Sequence, residues 1–502
     1  MMRKISRREF LQGTMAGAAS IALTGVLNPA ELNAKAADDV ETVTLAFMAF
    51  SVPSDAAIQR VEDAMNEILA EDGIAIDILI MDAASYFQQI PLMLAGGEKV
   101  DTFSALAMFS SMVSGGYTLD LEENELLQTY GQGIIDTMGD YIEGCRFGGI
   151  LYGLPQNRDY ASPVGYMIAN QYLDTIGFEY SADEVNYITE EELEDIFARL
   201  HEAYPEKTVL ACQQMARTSI LNDYVGGDFF GVMMDPTNSL ELSNLYATDE
   251  YYEICERYYN WNQMGYISQD AMTDTSVSSS EAISSGKAMA YECGIKAGII
   301  LQESTNNGAA TSAFVVEGHE DYILPSAAFA DMPWCISSVT DVPEATMKLL
   351  NLLYTNAELE TLLIYGVEGT DYVTTDDGFI TYPEDASDVY HPNVPAYMQN
   401  EFITPVWEGN DADVWEQTQE TNENAIKSLA MGFSFDKTNV STEYTALTNA
   451  YEEYRYQVEY GFVDPATGIA EMNEKLEAAG LSKYIEEKQS QLNAWGEENG
   501  IL

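Results

Sequence analysis

The stretch that decides the fold is residues 43–81, VTLAFMAFSVPSDAAIQRVEDAMNEILAEDGIAIDILIM. Val43–Phe50 is a nearly unbroken apolar run of strand length, as expected of a strand buried on both faces. Ser54 or Asp55 then offers an N-cap, and Ile58, Val61, Met65, Ile68 and Leu69 recur at helical spacing until Gly73 supplies a stop. A second apolar strand follows at Ile74–Met81. Strand, helix, strand with buried strands is the unit of a parallel sheet covered by helices on both faces. The first lobe is therefore expected to be α/β, continuing through a helix that reaches Leu94 to a short strand at Asp101–Leu106.

Near residue 150 the texture changes to GILYGLPQNRDYASPVGYMIANQYL (149–173), where two short apolar strands flank a polar knot, Gln156–Tyr160. The acidic helical stretch TEEELEDIFARLHEAY (189–204) comes next, so the chain is expected to cross here to a second domain. Residues 314–354 again place strands on either side of a loop and then enter a helix, with Asp341 near its N-cap and Pro343 in its first turn. A chain that visits one lobe, crosses, returns and crosses again makes a two-lobed body with a hinge of several strands. Beyond about residue 412 the pattern is helical. Ile469, Met472, Leu476, Leu481, Tyr484, Ile485, Leu492 and Trp495 form an apolar seam broken at Gly480.

The N-terminus is of another kind. Ser6-Arg7-Arg8-Glu9-Phe10-Leu11 resembles a twin-arginine export motif, Gly13–Leu27 is too short and too rich in small residues for a membrane span, and Ala34-Lys35-Ala36 fits a signal-peptidase site. Residues 1–36 are accordingly read as a signal peptide, and the protein as exported, to the extracellular face of the membrane or to a periplasm. No cysteine follows that segment, so no lipobox is expected and the means of retention stays open. The remainder carries 17 basic and 80 acidic groups. Such a surface repels phosphate backbones and anionic headgroups, which argues against nucleic acid and membrane-surface partners. With 46% hydrophobic residues the chain is nevertheless globular, and it is long enough for two large cores.

Cys145, Cys212, Cys255, Cys293 and Cys335 are widely spaced, and His201, His319 and His391 pair with neither a cysteine nor each other at metal-ligand spacing. Neither a disulfide framework nor a transition-metal site is expected, and no cofactor. A calcium loop of the DxDxDG kind is absent. No GxSxG, HExxH or Walker loop occurs, so a binder is favoured over an enzyme. An exported glycoside hydrolase remains the enzymatic alternative, because among so many carboxylates some pair will always stand at a catalytic separation.

The order YGLPQNRDYA (152–161), SGKAMAYECG (285–294), PWCISSVTDVPEATMKLLNLLYTNAEL (333–359), IYGVEGTDYV (364–373), VWEGND (406–411), MGFSFD (431–436), FVDPA (462–466) and GLSKYIEEKQSQLNAW (480–495) resembles the extracellular solute-binding proteins of ABC importers. The likeness is to the sugar-type, LipO-like branch with its helical C-terminal region, and it spans about residues 41–495. It implies an α/β, two-lobed type II periplasmic-binding-protein fold with a multi-strand hinge. Lobe 1 would comprise 41–155 and 314–336, and lobe 2 160–313 and 337–502. It further implies a monomer that holds a sugar or oligosaccharide between the lobes and delivers it to the membrane permease subunits of an ABC transporter. A peptide or another small solute in the same fold is the alternative.

Sugars present apolar CH faces and rings of hydroxyls, so a site for them needs flat aromatics and planar polar groups. Asn157, Arg158, Asp159 and Tyr160 stand together on the first crossing and are candidates, although Arg158 and Asp159 could equally form a hinge ion pair. Trp334 and Trp407 are the candidate stacking platforms, with burial in a core the alternative for each. Trp261, Trp415 and Trp495 read as structural. Phe50, Ser51, Tyr86, Phe229 and Tyr291 occupy places where the fold usually puts ligand contacts. An acidic ligand is unexpected from the net charge, though a local arginine could override the average.

Overall fold

The computed structural model describes residues 40–211, 217, 220–272, 279–384, 386–394 and 398–502; the expected signal segment and Cys212 lie outside these residues. The chain runs β1 (Glu41–Ala49), α1 (Asp55–Leu69), β2 (Ile74–Asp82), α2 (Ala83–Gly96) and β3 (Thr102–Ser104). It crosses to β4 (Val164–Ala169), β5 (Asn186–Ile188), α3 (Glu190–Ala203), β6 (Thr208–Ala211), α4 (Asp249–Gln263), β7 (Ala288–Gly294) and β8 (Thr311–Val316). It returns through β9 (Trp334–Ile336), α5 (Pro343–Thr355) and α6 (Ala357–Tyr365), and ends in α7 (Ser441–Glu459), α8 (Pro465–Ala479) and α9 (Leu481–Glu498).

The expected first unit forms with its expected punctuation. The Ser54 side chain caps α1 by accepting the Ala57 N–H at 3.2 Å, and Gly73 turns the chain at φ 70°. β1 pairs in parallel with β2 and β3, and β9 closes the sheet antiparallel to β3, in the order β9-β3-β1-β2. The second sheet has the order β5-β8-β4-β7-β6, with β4 antiparallel to both β7 and β8.

The lobe boundaries differ from expectation at two places. Phe314–Val316 pair with β4 and β5, so they belong to the second sheet and not to the first lobe. Helices α5 and α6, expected in the second lobe, bury Leu349, Leu350, Leu353, Leu359 and Leu363 in the same core as β1 and β2, together with Tyr390 and Met398. An amphipathic helix announces that one face must be covered, not which sheet covers it. A third core also stands apart from the two sheets. It joins residues 220–255 to the C-terminal helices through Phe230, Tyr246, Tyr251, Phe433, Met472, Leu476 and Leu492. The seam read from the sequence lies here, and Gly480 at φ 101° makes the break between α8 and α9. No helix among the described residues is long and apolar enough to cross a membrane.

Three crossings stitch the lobes. Leu154 and Trp334 exchange backbone hydrogen bonds at 2.9 Å, the Asn157 N–H donates to the Gln399 carbonyl at 2.9 Å, and the Ile426 N–H donates to the Tyr322 carbonyl at 3.0 Å.

Candidate functional site

A cavity of about 480 Å³ opens where the crossings 158–164 and 318–325 meet the edges of β4 and β7 and the segment 217–229. Its size falls within the range of small-molecule sites. Two backbone paths, one end of the second sheet and part of the third core all contribute walls.

Arg158, Asp159 and Tyr160 of the polar knot line this cavity, and so does Phe229. The Asp159 carboxylate meets Lys296 Nζ at 2.6 Å and stands 3.6 Å from Arg158, whose guanidinium lies 4.8 Å from the Tyr160 ring centroid. Burial draws the Lys296 ammonium down and Asp159 more than offsets it, leaving its pKa raised. Beneath them Glu401 Oε1 accepts the Asp159 N–H at 3.0 Å. Burial, with Asp159 beside it, pushes the Glu401 carboxyl up to about 7. Tyr160 packs on Phe329 at 4.4 Å, donates its hydroxyl to the Gln156 carbonyl, and accepts through its own peptide the order imposed by Asn422, whose Oδ1 takes the Tyr160 N–H at 2.9 Å. The crossing is thus held rigidly in place while one side of it faces the cavity.

Asn157 is a hinge residue: its Nδ2 donates to Asn400 Oδ1 at 3.0 Å, away from the cavity walls. Trp334 is fully buried in the first core, which removes it as a stacking platform. Tyr86 is likewise wholly buried and donates its hydroxyl to the Ser104 carbonyl at 2.6 Å, so it is a packing group. Tyr291 is buried on β7, where Asn307 Nδ2 donates to its hydroxyl at 3.0 Å. Trp407 packs against Tyr365 and Tyr382 at 5.7 and 4.7 Å, outside the cavity. Phe50 and Ser51 are exposed at the end of β1, their N–H groups donating to the Pro392 carbonyl at 3.2 and 3.3 Å. None of these last three lines the cavity.

Several lining groups were not anticipated: Tyr166, Arg217, Tyr224, Arg257, Glu292 and His319. Tyr224 and Phe229 stack at 4.9 Å with 26° between planes, and the Arg217 guanidinium lies 4.4 Å from the Phe229 ring. Glu292 accepts the Tyr258 hydroxyl, and its burial raises its pKa. It neighbours Tyr291, and successive side chains of a strand point to opposite faces; choosing one residue too early on β7 selects the core instead of the cavity. The site thus combines a flat aromatic pair, further tyrosines and planar charged groups.

Comparison with known proteins agrees with this architecture. The family described as Domain of unknown function (DUF3502) matches residues 429–497, the span of the C-terminal helices. A "Carbohydrate ABC transporter substrate-binding protein" of Streptococcus pneumoniae is 24% identical over 440 residues, covering 85% of this chain and 86% of that protein. The crystal structure of the N-glycan transport solute binding protein of Streptococcus pneumoniae superposes with a TM-score of 0.76 at 20% identity, over 90% of this chain and 98% of that one. The same protein in complex with Man5GlcNAc gives 0.67 at 21% identity, over 91% and 99%. The chain thus shares the two-lobed fold of these solute-binding proteins, is similar in sequence to the carbohydrate ABC transporter protein over most of its length, and matches the DUF3502 family at its C-terminal end.

Proposed function

We propose that this protein captures an oligosaccharide in the cavity at the hinge and delivers it to the membrane permease subunits of an ABC importer. The observation that carries the reading is the composition of that cavity: the stacked Tyr224–Phe229 pair offers a face for sugar CH groups, and Arg158, Asp159 and Arg217 offer planar hydrogen-bonding groups beside it. The names of the relatives support it, since one is a carbohydrate ABC transporter protein and another was crystallised with a mannose-containing glycan. In this reading the protein works as a monomer outside the cytoplasm, carried there by residues 1–36 through the twin-arginine route, and performs no chemistry on its ligand.

Of the residues expected from sequence, Arg158, Asp159, Tyr160 and Phe229 are retained as ligand contacts, joined by Arg217 and Tyr224. The test is thermal unfolding against a panel of oligosaccharides, with peptides and amino acids as controls. A ligand at about a hundred times its dissociation constant stabilises the native state by roughly 2.7 kcal/mol. A shift with one glycan family supports the reading. A shift with peptides alone would retain the fold and replace the ligand class, and turnover of a polysaccharide would overturn the assignment as a binder.

A further inference from the structure

Beyond residue 36 the chain has seven arginines against 80 acidic groups, yet three of the seven, Arg158, Arg217 and Arg257, line this one cavity. Three acidic groups stand on the same walls: Asp321 is exposed to solvent, and the other two are committed. Asp159 holds Lys296 at 2.6 Å, and Glu292 accepts the Tyr258 hydroxyl, with burial favouring its neutral form. Arg257 is held by Glu190 at 2.8 Å.

The other two arginines are less well matched. Arg158 donates from Nη1 to the Asp159 carbonyl at 2.6 Å and lies in the field of the Asp331 carboxyl, but the Asp159 carboxylate, at 3.6 Å, is already engaged by Lys296, and the Arg158 Nε is buried with no hydrogen-bond partner. Arg217 is sandwiched between the Phe229 and Tyr451 rings at 4.4 and 4.5 Å, faces Glu459 beyond ion-pair distance, and likewise has a buried Nε without a partner. A guanidinium withdrawn from water and incompletely bonded is destabilising unless something else completes its bonding. Its planar fork matches a carboxylate in two parallel hydrogen bonds, whereas a sugar hydroxyl requires no formal charge opposite it.

We infer that the glycan taken by this cavity carries a carboxylate, as a uronic or sialic acid does, bound between Arg158 and Arg217 beside the Tyr224–Phe229 stack. The inference rests on the oligosaccharide reading and narrows it. The acidic surface farther off than about 8 Å is screened at physiological ionic strength, and of the carboxyls that line the cavity Asp159 is held by Lys296, burial favours the neutral form of Glu292, and Asp321 is exposed to solvent.

Calorimetric titration with matched pairs tests the inference: sialyllactose and lactose, trigalacturonate and its methyl ester, a chondroitin disaccharide and its carboxyl-reduced form. At least one acidic member should bind about 10-fold or more tighter than its neutral twin, with an advantage that shrinks as sodium chloride is raised. Arg217→Gln and Arg158→Gln should each abolish that advantage. Arg217 also packs in the third core, so Arg158→Gln decides if the first variant does not fold. Neutral members that bind as well as or better than their acidic twins overturn this inference and leave the oligosaccharide reading standing. Binding of peptides, or of nothing, with both members of every pair inert overturns both.

Discussion

Glu401 is a carboxyl group with 6% of its surface exposed, set under the Asp159 peptide and within the field of the Asp159 carboxylate. Its pKa is raised from the usual 4.5 to about 7, mainly by burial. A native pKa above the unfolded one means that the folded protein binds the proton more tightly, so the associated stability is complete below about pH 4.5 and is lost as pH rises through 7. Glu360 and Glu459 are buried carboxyls shifted in the same direction by the same cause. Replacing Glu401 by Gln should therefore leave stability near pH 4 unchanged and add up to about 3 kcal/mol near pH 8. Thermal melts of both proteins at the two pH values check this; equal differences at both would remove the titration argument. Trp334 offers a contrasting residue. Its indole is fully buried, so Trp334→Phe should lower the melting temperature, by part of the about 3–5 kcal/mol expected for alanine, and leave glycan affinity unaltered. A ligand-stacking role would show instead as a rise in the dissociation constant.

Among elements, the C-terminal helices show how local and distant interactions combine. Gly480 has φ 101°, and a Cβ there would lie 2.8 Å from Glu443 Cγ. Gly480→Ala should cost at least about 1–2 kcal/mol from the left-handed backbone alone, read as a lower urea midpoint. Helix α9 further carries Lys488, wholly buried with Nζ 2.9 Å from Asp228, while Tyr484 donates to the other Asp228 oxygen at 2.7 Å. Removing one member of a buried pair leaves an uncompensated charge, so Asp228→Ala should destabilise by about 3–5 kcal/mol. The helices themselves were legible because their apolar residues recur at a fixed period and Gly480 interrupts it. The βαβ start was legible for the same reason, with Ser54 and Gly73 marking the ends of α1. What covers an apolar face is not legible: the sequence assigns α5 and α6 to the second lobe, whereas they bury their leucines in the core of β1 and β2. The cavity shows the same division. Arg158, Asp159 and Tyr160 stood out as polar residues between apolar strands, whereas Arg217 and Tyr224 lie in an irregular stretch with no period to identify them. Glu292 was missed by a single strand position.

At the scale of the whole molecule, the cavity walls come from the crossings, the second sheet and the third core, so it is through the crossings that occupancy would be coupled to lobe arrangement. A ligand shifts a two-state equilibrium only by the difference between its affinities for the two states, and moving an open form from 99:1 to 1:99 takes about 5.5 kcal/mol. The hinge helps to determine how much of that difference is used against rearrangement of the protein itself. Asn400 is a central hinge residue: its Oδ1 receives Asn157 at 3.0 Å, its Nδ2 donates to the Tyr354 carbonyl at 2.8 Å, and its N–H donates to Glu360 at 2.8 Å. Small-angle scattering should show a smaller radius of gyration when a glycan identified by thermal shift saturates the protein. Asn400→Ala, which touches no cavity wall, should weaken binding by changing the balance between open and closed forms, with the compaction at saturation preserved. No compaction of the parent protein at saturation would mean that the ligand is held by preformed walls, and that recognition by a permease cannot depend on closure of the lobes.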